Sequence, residues 1–264
     1  MSEASRLLDG RIALVTGAGS GLGRAIAVGL AEQGAKLVLV GRRAAKLEET
    51  AAIIREEGGT AYPIAADISK LDEVEAMARH IFTNYGVPAV VVNAAGVFKE
   101  IGPILESDPT GWMETIMINA VSPYYICRAL AGEMVKAGWG RIINVTSAAA
   151  LAEPEGTNSA YATSKVALNH FTRQLAAELS GTGVTANVFH PGEVRTEMFE
   201  AIRDNVRVPG ELQDWVAWVE RTGGDSPAKS VQLIADLLKP ESDSITGRFL
   251  WIEDGLKKPK YSWD

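Results

Sequence analysis

RIALVTGAGSGLGRAIAVGLAEQG, residues Arg11–Gly34, decides the fold. RIALVTG is a short apolar, β-rich run, and GLGRAIAVGLAEQG then carries apolar residues at helical spacing until Gly34 stops it. Strand, glycine turn and helix in that order open a βαβ unit. The alternation continues downstream. KLVLVG, TAYPIAAD, PAVVVNAAG, GRIINVTS and GVTANVFHPG read as strands two to six, and GRFLWIEDG near the end reads as a seventh. Helices are expected from about Arg43 to Glu57, in LDEVEAMARHIFTNYG, from Thr110 to Ala137 and from Ser159 to Leu179. The strands are continuous apolar runs, as strands covered on both faces must be. The pattern predicts an α/β fold: a doubly wound, seven-stranded parallel sheet with helices on both faces. No linker, repeat or low-complexity tract divides residues 1–264, so one domain is expected. Two segments stand outside the alternation: Glu197–Gly224, rich in Trp and charge, and an expected extended tail at 255–264.

Composition narrows the function. The chain has 264 residues, 47% hydrophobic and 22% charged, with a formal net charge of −7. An acidic surface argues against nucleic acid or an anionic membrane as partner. A single cysteine, Cys127, rules out an internal disulfide and fits a reducing cytoplasm. His80, His170 and His190 are scattered without metal-ligand spacing, so no metal is expected. MSEASRLLDGR has no apolar run of signal-peptide length, and no window approaches an uncharged membrane span.

TGAGSGLG, Thr16–Gly23, joins the first strand to the first helix. Small residues there let the backbone approach a pyrophosphate, and the helix N-terminus offers free N–H groups and partial positive charge. Gly17, Gly19, Ser20, Gly21, Leu22 and Gly23 are the candidate cradle; the alternative is a tight structural turn. The end of strand two selects the ribose group. An acid there suits the NAD 2′-hydroxyl, whereas Arg accommodates a 2′-phosphate. This chain reads VGRR, with Gly41 in the acid's place, followed by Arg42 and Arg43. NADP(H) is therefore expected over NAD(H), with Arg42 the stronger phosphate ligand. Both arginines could instead be surface charges on the next helix. Asp67 and Ile68, ending strand three, are candidates near the adenine, and Asp67 could equally cap the following helix.

YATSK places Tyr161 and Lys165 at i, i+4, neighbours on a helical face. On a solvated face this means nothing. In a cofactor cleft the ammonium would favour the phenolate and lower the Tyr pKa.

In this order and spacing, TGAGSGLG, Asp67, NAAG (Asn93–Gly96), Asn119, NVTS, YATSK and HPGEVRT (His190–Thr196) resemble a short-chain dehydrogenase/reductase of the TGxxxGxG and YxxxK type. The resemblance runs from about Gly10 to Gly255. It implies a Rossmann-fold oxidoreductase with a catalytic tetrad of Asn119, Ser147, Tyr161 and Lys165. Tyr161 would be the general acid/base, although an unperturbed phenol of pKa about 10 is poorly matched to neutral pH. Lys165 would also hold the nicotinamide ribose. Ser147 would stabilise negative charge developing on the substrate oxygen. Asn119 would hold a water for proton relay. Asn93, Ala94, Ala95 and Gly96 would pack on the adenosine half, with Asn93 tying neighbouring strands. Pro191 and Gly192 would shape the turn under the nicotinamide, and Val194 and Thr196 would hold its carboxamide.

Three departures mark this chain. Ala94 replaces the second Asn of the common NNAG, so one supporting hydrogen bond is expected to be missing. The Ser147-to-Tyr161 gap is one residue longer than the family pattern and carries Glu153 and Glu155. His190 stands where Asn or Ser is familiar; a buried, hydrogen-bonded His is expected there over a titrating one.

The resemblance also implies a substrate lid at about 197–224. Met198 and Phe199 are expected over an apolar ketone or 3-oxoacyl-type substrate. Trp215, Trp218 and Val219 share one helical face, for the lid, the core or a partner subunit. Arg203 and Arg207 could meet an anionic group or be plain surface charge. The expectation is thus an NADP(H)-dependent, cytoplasmic oxidoreductase of small carbonyls or secondary alcohols, assembled as a homo-oligomer, a tetramer or dimer. An NAD-dependent alcohol dehydrogenase and a non-catalytic dinucleotide-binding sensor are the alternatives.

Overall fold

The first strand, β1 (Ile12–Thr16), is buried end to end. Its side chains alternate between two apolar layers. Ala13 and Val15 enter one, and Ile12 and Leu14 the other. β2 (Lys36–Gly41) divides likewise, Leu37 and Leu39 against Val38 and Val40. Both faces of the sheet are therefore core, which is why the sequence shows continuous apolar runs. The computed structural model describes residues 7–154, 157–206, 211–256 and 260–261.

One face is covered by α1 (Gly21–Glu32), α2 (Ala44–Glu56) and α9 (Pro227–Leu237), through Ile26, Leu30, Leu47, Ile54 and Leu233. The other is covered by α3 (Leu71–Asn84), α5 (Ser122–Ala137) and α6 (Ser159–Glu178), through Val74, Met77, Ile126, Leu130 and Ala176. Gly29 lets α1 meet α9: a Cβ there would fall 2.3 Å from Val231 Cγ1.

With β3 (Thr60–Ala65), β4 (Pro88–Asn93), β5 (Gly140–Val145), β6 (Val184–His190), β7 (Arg248–Trp251) and β8 (Lys260–Tyr261), the sheet order is β3-β2-β1-β4-β5-β6-β7-β8. The seven expected strands are present and parallel. An eighth, not anticipated, is β8, a two-residue piece of the tail antiparallel to β7. The rest of the tail, 257–259 and 262–264, lies outside the described residues. The chain winds outward from β1 to β3 and then returns to lay β4 beside β1. That reversal opens a crevice beyond the carboxyl ends of β1 and β4, where open α/β sheets bind ligands.

The helix expected over Thr110–Ala137 is not uniform. α4 (Pro109–Ile116), capped by Asp108, passes into a π-helical turn at Met117–Val121 before α5 begins. The extra residue per turn leaves periodicity almost unchanged over so long a run, so the sequence pattern does not reveal it. Asn119 sits in that turn. Beyond β6, the segment 197–224 forms α7 (Glu197–Asn205) and α8 (Glu211–Thr222). Among the described residues no helix is long and apolar enough to cross a membrane.

Candidate active site

A cleft of about 820 Å3 opens at the reversal point, between the glycine turn and α7. Thr16, the last residue of β1, accepts the N–H groups of Ala94 and Ala95 at 3.1 and 3.2 Å and so locks the turn after β4 against the turn after β1. Gly17 makes this possible: its φ is +69°, and a Cβ would fall 2.8 Å from Ala95 Cα. A Cβ on Gly23 would strike the Gly17 carbonyl at 2.3 Å, so α1 starts hard against the turn. The α1 N-terminus has no side-chain cap and no acid in its first turn. Its first N–H groups and dipole thus fit an anionic group. Gly19, Ser20, Gly21 and Leu22 line the cleft beside it. The residues fit a dinucleotide pyrophosphate.

At the adenosine end, Arg42 and Arg43 are both exposed and line the cleft. Arg43 donates to Ser20 Oγ at 2.8 Å and Glu197 Oε2 at 2.9 Å, which leaves Arg42 standing beside Asp67. Asp67 does not cap a helix. Its Oδ1 accepts Ser69 N–H and Oγ–H, and Lys70 occupies the N-cap of α3. Burial raises the Asp67 pKa, but the Ser69 bonds and the Arg42 charge outweigh it and hold the carboxyl below its ordinary value. Ile68 completes this wall.

Asn93 ties β4 to β5 by donating to Asn144 Oδ1 at 2.8 Å. Among the described residues its own Oδ1 is buried without a partner. Gly96 is where two of the expected site side chains meet. A Cβ there would lie 3.4 Å from Asn119 Oδ1 and 3.8 Å from Lys165 Nζ.

Ser147 follows β5, caps a short 3-10 turn over Ala148–Ala150 and hydrogen-bonds Tyr161. Tyr161 and Lys165 project from α6 into the cleft. Lys165 is 4% exposed and donates to the Val145 carbonyl at 2.9 Å. The Tyr161 ring stacks on Phe98 with centroids 4.3 Å apart. Asn119 clamps the chain after β4 onto α6: Nδ2 donates to Val97 O and Ser164 Oγ, and Oδ1 accepts Val97 N–H.

The expected lowering of the phenol pKa is not what this site produces. Burial pushes Tyr161 up to about 12, with the Ser147 bond opposing and the Glu193 charge adding to the rise. The Lys165 ammonium lies 5.5 Å from the ring centroid, and burial brings its own pKa down to about 8. Desolvation is the largest cause of both shifts.

His190 is the buried, bonded histidine expected. Nδ1 accepts Ala148 N–H at 3.2 Å, and Nε2 lies 3.5 Å from Glu193 Oε1. Pro191, Gly192 and Val194 line the cleft. Thr196 caps α7 by accepting Phe199 N–H, and its Cγ2 would be 3.2 Å from a Cβ on Gly21, across the cleft. Glu153 is exposed and off the cleft, and Glu155 lies outside the described residues.

Met198, Phe199, Ile202, Leu212 and Trp215 wall the other side. The face assigned to α8 is corrected: Trp215, Val216 and Val219 turn inward while Trp218 is 39% exposed. Arg203 is paired with Glu200 and Asp204; Arg207 lies outside the described residues. Sequence reasoning gave no role to Phe98, Glu193 or Glu197. Glu193 stands inside the quoted HPGEVRT, but nothing in its neighbours announces where its side chain goes.

Comparison with known proteins agrees with this geometry. Residues 11–207 match the short chain dehydrogenase family model. The chain is 35% identical over 193 residues to a short chain dehydrogenase of Pseudocercospora fijiensis, covering 72% of this chain and 62% of that one. It is 39% identical over 185 residues to the probable oxidoreductase EphD of Mycobacterium tuberculosis, covering 70% of this chain but only 31% of that one. The chain thus spans less than two thirds of these two relatives. A galactitol 2-dehydrogenase (L-tagatose-forming) of Cereibacter sphaeroides is 32% identical over 251 residues, 94% of this chain and 95% of its own. Among solved structures, an actinorhodin polyketide ketoreductase F189W with NADPH superposes with a TM-score of 0.82 at 28% identity, covering 91% of this chain and 95% of that one. A NAD+-bound xylitol dehydrogenase, at 24% identity and TM-score 0.85 over 93% of this chain and 98% of that one, shares the fold. Motif order, sheet topology and these matches lead to one conclusion: the chain belongs to the short-chain dehydrogenase family of nicotinamide-dependent oxidoreductases.

Proposed function

We propose that the protein is an NADP(H)-dependent oxidoreductase that interconverts a ketone and a secondary alcohol. The observation that carries this reading is the convergence of Tyr161, Ser147 and buried Lys165 on one cleft that also holds the uncapped α1 N-terminus. When bound, the dinucleotide supplies or accepts the hydride. Everything else falls to the chain. The first turn of α1 holds the pyrophosphate, and Arg42 answers the 2′-phosphate, since Arg43 is engaged by Ser20 and Glu197. Lys165 has donors beyond the one spent on Val145 and turns them to the nicotinamide ribose. Ser147 donates to the substrate oxygen and stabilises its developing charge.

Tyr161 gives its proton to that oxygen in reduction. A phenol pushed up to about 12 is fully protonated at neutral pH and so holds the proton that reduction consumes, although the raised value makes it a weak acid. The side chain of Asn119 is taken up by Val97 and Ser164, so a relay water would have to use its backbone. Met198, Phe199 and Trp215 form an apolar lid over the substrate. Exposed Met113 and Tyr124, on α4 and α5, support pairing of copies through that face.

The test is cofactor oxidation against a panel of ketones, with NADPH and NADH in parallel. NADPH-dependent turnover that drops about a hundredfold or more in Tyr161→Phe is expected. Full turnover in that variant would sink the mechanism.

A further inference from the structure

The turn after β6 is fixed through its backbone. Glu193 N–H donates to Asp225 Oδ2 at 2.9 Å, and Asp225 N–H donates to the Glu193 carbonyl at 2.9 Å. The Glu193 side chain has no part in holding that turn and lines the cleft instead. Its Oε2 accepts Trp215 Nε1–H at 2.5 Å, and its Oε1 lies 3.5 Å from His190 Nε2. His190 Nδ1 accepts the Ala148 N–H, so the ring proton sits on Nε2 and faces this carboxylate. A carboxylate has about four acceptor positions, and these contacts use about two. The rest face a cleft walled by Phe98, Met198, Ile202 and Leu212.

An indole N–H is satisfied by a neutral acceptor, so a latch for Trp215 does not require a charge. The Glu193 side chain is 29% exposed, so its remaining acceptor positions are open to a group entering the cleft. Neither cleft lysine is paired with Glu193: Lys99 pairs with Glu114, and Lys165 donates to Val145 O. The charge of Glu193 also reaches the Tyr161 phenol, which puts it on the reacting side of the cleft.

We propose that Glu193 is a specificity-determining residue that accepts a hydrogen bond from a hydroxyl or ammonium group close to the reacting carbonyl of an otherwise apolar substrate. This rests on the reductase reading above. It changes the substrate from a plain apolar ketone to a hydroxy- or amino-ketone, with the matching diol or amino alcohol as product.

The test uses four ketones with NADPH: acetophenone and its 2-hydroxy, 2-ammonio and 2-methoxy derivatives. The methoxy compound keeps the oxygen but has no donor and is one methylene larger, so the effect of Glu193→Ala on the ratio, rather than the wild-type ratio alone, isolates the hydrogen bond. In the wild type, kcat/KM for the hydroxy or ammonio ketone is expected to exceed that for the methoxy ketone by about tenfold or more. Glu193→Ala should bring the ratio near one. Glu193→Gln separates the two donors, because it keeps an acceptor for hydroxyl and loses the charge that favours ammonium. Calorimetric binding of 1-phenyl-1,2-ethanediol against its 2-methoxy ether should show the same preference in the wild type and its loss in Glu193→Ala. Turnover of all four ketones without a donor preference, or a preference that survives Glu193→Ala, overturns this assignment alone. No turnover of any of them overturns the reductase reading with it.

Discussion

Lys165 carries a cost that its role explains. Burial lowers its pKa to about 8 from the ordinary 10.5, so its charged form is disfavoured in the fold. Between those values the unfolded chain binds the proton and the folded chain does not. On this residue's account stability must therefore rise with pH from about 8 to 10.5. Below about 8 both states are protonated and the penalty is present in full. Lys165→Met should be more stable than the wild type at pH 7, by up to about 3 kcal/mol, and the gap should close by pH 10.5. Urea midpoints at both pH values check this, and a gap independent of pH would show that the ammonium is not desolvated. At the other end of the cleft, Arg42→Asp should weaken NADPH by about tenfold to a hundredfold and spare NADH. Direct titration of each cofactor reads it. That Tyr161 and Lys165 share one face of α6 was legible from their spacing, but the direction of the phenol shift was not. Spacing reports that an ammonium is near, whereas burial of the phenol depends on the Phe98 stack and the cleft walls, drawn from distant segments.

Elements were legible to the extent that periodicity reports burial. β1 and β2 bury both faces, and their unbroken apolar runs said so. The π-helical turn at Met117–Val121 escaped notice because one extra residue barely shifts a helical pattern. The inward face of α8 was misjudged for a related reason. Trp215, Trp218 and Val219 fit one face by spacing, but so do Trp215, Val216 and Val219, and only the contact with Phe199 and α7 chooses between them. Gly29 gives an element-scale prediction. Gly→Ala inside a helix ordinarily stabilises by about 1 kcal/mol. Here the new methyl would meet a β-branched side chain with little freedom, Val231, at 2.3 Å. Gly29→Ala should instead destabilise by about 1–3 kcal/mol in urea. Adding Val231→Ala should recover much of that loss, as a double-mutant cycle would measure.

At the scale of the whole molecule, the strand reversal between β1 and β4 sets the location of the chemistry. The glycine turn, NAAG, Ser147 and HPGEVRT all follow carboxyl ends of strands, so one sheet gathers them around one crevice. Motif order made this legible. The contacts that cross the crevice were not, because Arg43 meets Glu197 and Trp215 meets Glu193 through tertiary approach alone.

The two rims of the sheet are finished differently. β3 carries Pro63 opposite Leu39, and a proline withholds the N–H that a docking strand would need. β7 has no proline, and β8 is laid antiparallel along it. A bare rim is a template for aggregation, and this short tail strand covers part of β7 as well as ending the sheet. Truncation after Leu256 should leave the cleft residues in place yet lower solubility, seen as concentration-dependent turbidity on mild heating. A truncated chain that stays as clear as the full one would mean that the rim of β7 is protected by something other than β8.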